Sequence, residues 1–190
     1  MVKIRRTQIV IIAASLLLLA LALAFILGRI LEKRTYKLEY PELIKLYSEE
    51  YSLDPYLVAS VIHIESSNKA DAISSAGALG LMQVMPETGE WIANKLSVEP
   101  FSTEMLFEPK LNIRFGCWYL QFLTQRFKAD RVLVLAAYNA GHGNVEKWLK
   151  NPTLSEKGQL TQIPFRETKN YVEKVQRAYE KYKRLYKNSF

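Results

Sequence analysis

Cysteine is almost absent from the sequence, and this excludes two common ways of stabilising a small protein. Cys117 is the only cysteine, so the chain cannot form an internal disulfide. It also lacks the cysteine and histidine companions that a zinc site needs. We predict a buried structural thiol in the apolar run 115–120, and neither a metal ion nor another cofactor. No cysteine follows the N-terminal apolar segment, so a lipoprotein anchor is not expected.

Strand-like alternation of apolar and polar residues is missing too, and no segment of the chain repeats. Apolar residues instead recur at helical spacing from residue 41 onward. Asp54 and Pro55 are typical of a helix start, with an N-cap followed by proline at the first helical position. The stretch 66–80 is rich in serine, alanine and glycine and predicts a loop, whereas 166–187 predicts a last helix. We therefore predict a mainly α fold with one domain at 41–190.

One long apolar run lies near the N-terminus. Residues 9–27 carry no charge and are numerous enough to cross the hydrocarbon core of a membrane as a helix. Lys3, Arg5 and Arg6 precede the run, which favours a cytoplasmic N-terminus. Basic residues beyond the run weaken this preference without reversing it. The pattern predicts a single-pass membrane protein.

A cleaved signal peptide is the alternative to an anchor. The Ala-Leu-Ala sequence at 22–24 has the small-x-small form of a cleavage site. The apolar run continues past it, so we favour an uncleaved helix. We predict a cytoplasmic leader at 1–8, a transmembrane anchor at 9–31 and a short charged connector at 32–40. Both interpretations export the domain at 41–190.

The formal net charge of +7 suits a polyanionic neighbour such as nucleic acid, lipid headgroups or an anionic cell wall. Charge alone does not choose among them, and a basic surface kept for solubility is equally compatible. An exported domain has no access to nucleic acid, so we expect the membrane as a partner and no nucleic acid.

Glu65 is the residue best suited to chemistry on physical grounds. Val58, Val61 and Ile62 lie on its face of the predicted helix. Burial against apolar side chains and the negative end of the helix dipole both raise the pKa of a carboxyl group. Such a group keeps its proton near neutral pH and can act as a general acid. The alternative is that Glu65 turns outward or pairs with a lysine.

Three motifs follow one another in the chain. Residues 65–83 read ESSNKADAISSAGALGLMQ, residues 137–141 read AYNAG, and residues 167–172 read ETKNYV. This order resembles the soluble lytic transglycosylases, a family related to goose-type lysozyme. In that family a catalytic Glu-Ser precedes a serine-containing stretch and Gly-Leu-Met-Gln, followed by Ala-Tyr-Asn-x-Gly and Glu-Thr-x-x-Tyr-Val. The resemblance spans about residues 41 to 182 and indicates a membrane-anchored form of the family.

The resemblance implies a lysozyme-like α domain with a groove for the glycan strands of bacterial peptidoglycan. It implies that Glu65 protonates the β-1,4 glycosidic oxygen between MurNAc and GlcNAc. The same carboxylate then accepts a proton from the MurNAc 6-hydroxyl, which attacks C1 and leaves a 1,6-anhydro ring. One carboxylate suffices because the substrate supplies the nucleophile.

The resemblance also implies that further side chains bind the glycan or line the site. These are Ser74, Met82, Gln83, Tyr138, Asn139 and Tyr171. Each has a structural alternative. The two tyrosines and Met82 could fill the core, Asn139 could cap its helix, and Ser74 and Gln83 could form local loop hydrogen bonds.

Two other functions remain open at this point. A goose-type lysozyme on the same fold would hydrolyse the glycan, and inverting hydrolysis needs a second carboxylate about 6.5–9.5 Å from the first. Asp71 is the only acid between Glu65 and Glu87, which favours the transglycosylase. A wall-binding factor without catalysis is the third interpretation, and the presence of Glu65 argues against it. The sequence predicts no particular protein partner.

Overall fold

The computed structural model describes residues 6–190, with side chains from residue 8 onward. The chain divides into two compact units, and the boundary lies between Lys37 and Leu38. Lys3 and Arg5, on which the predicted orientation of the N-terminus depends, lie outside the described residues.

The first unit contains one long helix, α1, Arg6–Thr35. Its part Gln8–Thr35 includes a window of mean hydropathy 3.1, and nothing in the structure buries that window. The 28 residues of this part would extend about 42 Å, more than the hydrocarbon core of about 30 Å. Helix α1 ends at Thr35, inside the segment 32–40 that was predicted as a connector. The helix continues into this segment because Glu32 and Lys33 are good helix formers.

The second unit, Leu38–Phe190, is mainly helical, which confirms the predicted fold class. Its helices are α2 Pro41–Glu50, α3 Pro55–Ser66, α4 Pro86–Leu96, α5 Pro109–Arg126, α6 Arg131–Ala140, α7 His142–Lys150 and α8 Arg166–Leu185, with a 3₁₀-helix at Thr103–Phe107. Helices α2 to α5 all begin with proline, whose fixed φ suits the first helical position.

A short antiparallel hairpin lies in the segment between α7 and α8. Strand β1, Ser155–Glu156, pairs with β2, Gln159–Leu160. Two residues per strand are too few for apolar alternation to show in the sequence. The hairpin contacts α7.

Helices α3 and α8 form the most extensive helix pair in the core. They run antiparallel, since hydrogen bonds link the start of α3 to the far part of α8. The Tyr179 hydroxyl donates to the Asp54 carboxylate at 2.7 Å, and the Tyr56 hydroxyl donates to the Tyr186 carbonyl at 2.8 Å. The C-terminal end of α3, with Glu65, therefore lies against the N-terminal part of α8.

Helix α5 packs against α2, α4 and α6 and supplies much of the remaining core. Ile113, Phe115 and Leu120 are fully buried on it. Cys117 is also fully buried, as predicted, and burial raises the pKa of its thiol.

Candidate active site

Glu65 occupies the last turn of α3, where the chain leaves the helix through left-handed backbone at Ser67 and Asn68. Burial raises the pKa of its carboxyl group to about 7. The neighbouring Tyr171 hydroxyl opposes this shift, and the negative charge of Glu167 adds to it. A carboxyl group with this pKa can both release and accept a proton near neutral pH.

The phenol of Tyr171 is buried and lies beside the Glu65 carboxylate. Among the residues that the structure describes, no acceptor meets full hydrogen-bond geometry with this hydroxyl, so the contact with Glu65 is loose. Burial and the negative charge of Glu65 raise the pKa of Tyr171 well above its usual value. Tyr171 therefore stays protonated and remains available as a donor to the carboxylate.

Tyr138, which is on α6, also lies near the Glu65 carboxylate. Burial raises the pKa of its phenol, and the charge of Glu65 raises it further. Its hydroxyl donates to the Met82 carbonyl at 2.8 Å. The hydrogen bond fixes the Tyr138 ring relative to the Gly-Leu-Met-Gln turn, so two motifs distant in sequence meet at this point.

An asparagine that no sequence pattern singles out organises the Gly-Leu-Met-Gln turn. Asn112 of α5 is fully buried, and its amide donates to the carbonyls of Leu79, at 2.9 Å, and Leu106, at 2.7 Å. Its side-chain oxygen accepts from the Met82 amide at 2.7 Å. Gly80 has a φ of 74° and lies so close to the Asn112 amide that a Cβ would overlap it. The turn therefore needs both residues.

The side chain of Met82 lies in the core. It is 0% exposed and packs against Gly116, where a Cβ would overlap its sulfur atom. The backbone of Met82 contacts the site through Tyr138, while the thioether fills space. A direct contact between this side chain and a glycan stays a prediction.

Ser74 and Gln83 make local hydrogen bonds within the loop after α3. The Ser74 hydroxyl accepts from the Ala78 amide at 2.9 Å. Gln83 has a φ of 50°, and its amide donates to the carbonyls of Gly80, at 2.9 Å, and Ala72, at 3.2 Å. These bonds hold the loop in one conformation. Binding of a ligand by either side chain stays a prediction.

Asn139 connects the end of α6 to the start of α8. Its side-chain oxygen accepts a hydrogen bond from the Thr168 hydroxyl at 2.7 Å. Thr168 is buried, at 2% exposed, and directly follows Glu167. The bond thereby positions the Glu167 backbone beside the site, a role that no sequence pattern assigned to Thr168.

A cleft of about 240 Å³ opens beside Tyr138. It is lined by Gln83, Val84, Met85, Thr88, Tyr119, Tyr138, Asn139, Ala140 and Gly141. The cleft thus brings together three of the predicted site residues. Glu65, Ser74, Met82 and Tyr171 are not in its lining, and Tyr138 connects it to Glu65. Tyr119 was not predicted to belong to a site.

Few acids approach Glu65. Glu167 is exposed at the start of α8, and its charge raises the pKa of Glu65. Asp71 and Glu87, the acids weighed for a hydrolase, are both exposed. Within residues 6–190, no group of three or more histidine, cysteine, aspartate or glutamate side chains could hold a metal ion.

Comparison with known proteins gives the family. Residues 42–161 match the Transglycosylase SLT domain. The chain is 35% identical over 159 residues to the soluble lytic murein transglycosylase of Escherichia coli K12, covering 82% of this chain and 24% of that protein. It is 31% identical over 181 residues to membrane-bound lytic murein transglycosylase C of Edwardsiella ictaluri, covering 82% of this chain and 49% of that one.

Solved structures agree with this comparison. The 70 kDa soluble lytic transglycosylase of E. coli has a TM-score of 0.73 at 31% identity, covering 80% of this chain and 25% of that chain. An inactive mutant of lytic transglycosylase Slt from Pseudomonas aeruginosa has a TM-score of 0.69 at 31% identity, covering 78% of this chain and 24% of that chain.

The fold thus defines a lytic-transglycosylase type of domain. The chain belongs to the Transglycosylase SLT domain family, as its motifs predicted. It spans about a quarter of the length of the E. coli relative.

Proposed function

We propose that this protein is a peptidoglycan lytic transglycosylase that uses Glu65 as its single catalytic acid and base. The observation that carries the proposal is the Glu65 carboxyl group, half-buried at the end of α3, where burial raises its pKa to about 7. Family membership supports it, as do relatives whose names describe them as lytic murein transglycosylases.

The reaction needs two proton transfers, one from Glu65 and one back to it from a different group. Neutral Glu65 donates its proton to the glycosidic oxygen as the bond between that oxygen and C1 of MurNAc breaks. The resulting carboxylate accepts the proton of the MurNAc 6-hydroxyl as its oxygen bonds to C1. The products are a GlcNAc end and a 1,6-anhydroMurNAc end, and Glu65 is neutral again. A pKa near 7 suits both steps because neither protonation state is strongly favoured.

The neighbouring tyrosines support this cycle. The Tyr171 hydroxyl donates toward the carboxylate, which stabilises the charged form between the two steps. Tyr138, held by the Met82 carbonyl, faces both Glu65 and the cleft. We propose that Tyr138, Gln83 and Asn139 contact the glycan in the cleft. Ser74, Met82 and Tyr171 would then act mainly by fixing the loop and the carboxyl group.

A goose-type lysozyme remains the second candidate, and Glu167 is the observation that favours it. This acid acts electrostatically on Glu65, and in a hydrolase it would be the carboxylate that activates a water molecule. The nature of the cleaved ends separates the two functions. Mass spectrometry of fragments from purified peptidoglycan is expected to show 1,6-anhydroMurNAc ends. Reducing ends, heavier by one water, would overturn the transglycosylase in favour of the hydrolase.

We also propose that α1 anchors the protein in the bacterial membrane, with the catalytic domain outside the cytoplasm. Support comes from the long apolar helix Gln8–Thr35 and from relatives whose names describe them as membrane-bound. An external domain would face the peptidoglycan that the proposed reaction consumes.

A further inference from the structure

Partly buried aromatic rings lie side by side next to the cleft. Trp118, Tyr119 and Phe122 project from α5 within about one helical turn. The ring planes of Trp118 and Phe122 differ by 2°, with centroids 5.9 Å apart, and those of Tyr119 and Phe122 differ by 15°, with centroids 6.0 Å apart. We name these three rings, together with Trp91 of α4, the aromatic platform.

Edge-to-face contacts hold the platform in place. Trp91 packs at 79° against both Trp118 and Phe122, with centroid distances of 5.0 and 5.2 Å. His142 of α7 packs at 81° against Phe122, at 5.7 Å. This geometry is favourable for aromatic pairs, so the rings keep fixed orientations before any ligand arrives.

Packing of α4 on α5 does not by itself explain the platform. Gly89, Ile92 and Ala93 already form a buried face on α4. Phe115, on the same helix as the platform rings, is fully buried. The platform rings are instead partly exposed. Contiguous apolar surface of this kind often marks a binding site.

The platform is continuous with the cleft and has a polar edge. Tyr119 belongs to both, and its ring centroid is 5.6 Å from that of Tyr138. At the other end, the Arg126 guanidinium lies 5.7 Å from the centroid of Phe122 and pairs with Glu146. A ligand that leaves the cleft past Tyr119 would therefore meet flat apolar rings first and charged hydrogen-bonding groups next.

We propose that the aromatic platform is a binding site for a further stretch of the β-1,4-linked glycan, outside the cleft where the bond is cut. A pyranose ring has an apolar C–H face and a rim of hydroxyl groups. Flat aromatic rings match that face, while Arg126 and Glu146 provide hydrogen bonds to the hydroxyls, the usual combination in small-molecule sites. The inference rests on the proposed function, because it takes the glycan as the ligand.

Tryptophan fluorescence tests the platform without altering it. The chain has three tryptophans, and Trp148 is buried, at 6% exposed, against Phe165. Trp148→Phe leaves Trp91 and Trp118 as the only indoles. The full chain with Glu65→Gln, which prevents cleavage, is placed in lipid nanodiscs and titrated with chitohexaose, a soluble β-1,4-linked GlcNAc oligomer. We expect a saturable change in indole emission. An emission spectrum that does not respond would overturn the inference.

A matched pair of variants then tests the stacking contact. Phe122→Leu keeps an apolar side chain but removes a platform ring, and it is expected to weaken chitohexaose binding about tenfold. Phe165→Leu removes an exposed ring elsewhere and is expected to leave the affinity unchanged. Affinity of Phe122→Leu within about twofold of its parent would overturn the inference.

The two proposals fail in distinguishable ways. If the chain with Glu65 intact does not cut peptidoglycan, but binding still depends on Phe122, the proposed function is wrong and the platform stands. If the chain cuts peptidoglycan while Phe122→Leu binds and cuts as its parent does, the platform alone is wrong.

Discussion

The Tyr171 hydroxyl lies beside the Glu65 carboxylate, where the first turns of α8 meet the last turn of α3. The phenol is buried and protonated, so it supports the charged form of Glu65 while burial supports the neutral form. The balance places the pKa at about 7. Small changes around this pair should therefore alter the proton transfer that the proposed reaction requires.

Glu65→Gln is expected to abolish nearly all lytic activity while the fold is kept. An amide cannot deliver a proton to the leaving oxygen, and general acid–base catalysis is typically worth about 10²–10⁴ in rate. The measurement is the release of soluble fragments from purified peptidoglycan, with thermal unfolding as a check of the fold. Glu180→Gln, an exposed acid on α8, is the matched control and should keep full activity. Activity of Glu65→Gln within a few-fold of the parent would refute the assignment.

Tyr171→Phe is expected to shift the pH dependence of cleavage upward. The Tyr171 hydroxyl lowers the pKa of Glu65, so its removal raises that pKa. In the parent, kcat/KM should decline as pH rises through about 7, where Glu65 loses its proton. In Tyr171→Phe the decline should begin at higher pH.

The control for this shift is Tyr56→Phe. It removes a hydrogen bond from the same helix pair at its opposite end, the one donated to the Tyr186 carbonyl. It should leave the pH profile where it is. Equal shifts in the two variants would show that the effect is general loosening of α3 and α8 rather than a property of the Glu65 site.

Glu167→Gln is expected to shift the same decline to lower pH. The Glu167 charge raises the pKa of Glu65, so its removal lowers that pKa. At its own optimum the variant should keep activity within about tenfold of the parent, because the substrate supplies the nucleophile. A loss as large as that of Glu65→Gln, together with reducing-end products, would identify Glu167 as a second catalytic carboxylate and the protein as a hydrolase.

Asn112→Ala is expected to destabilise the domain by about 3 kcal/mol or more. Three backbone groups, of Leu79, Met82 and Leu106, lose their buried partner, and each unsatisfied group costs about 1–3 kcal/mol. Denaturant unfolding measures the loss. Asn94→Ala, an exposed position on α4, is the control and should change stability little. Equal stabilities of the two variants would contradict the role given to Asn112.

The N-terminal helix is expected to keep the protein in the membrane fraction, with its C-terminal domain accessible from outside the cytoplasm. Its uncharged apolar stretch at 9–27 is long enough to cross the hydrocarbon core and has a strong preference for the bilayer. Cell fractionation with intact-mass measurement tests retention, and protease protection tests orientation. A soluble mature chain beginning near Phe25 would contradict the predicted membrane anchor but not the predicted export of the domain.

Local features of the chain were readable from the sequence alone. Proline at the first position of α3, the N-cap at Asp54 and the apolar spacing that buries Val58, Val61 and Ile62 follow from interactions within a few residues. The order of three motifs identified the family, and an isolated cysteine in an apolar run was correctly predicted to be buried.

Only the tertiary structure decided which of these features meet. The antiparallel packing of α3 on α8 brings Tyr171 and Glu167 to Glu65, and α5 places Asn112 beneath the turn at Gly80. Helical periodicity specifies which face of a helix is buried but not which helix covers it. That choice depends on how all the buried faces fit together, so the pKa of Glu65 and the partners of Asn112 belong to the packed domain and not to any single segment.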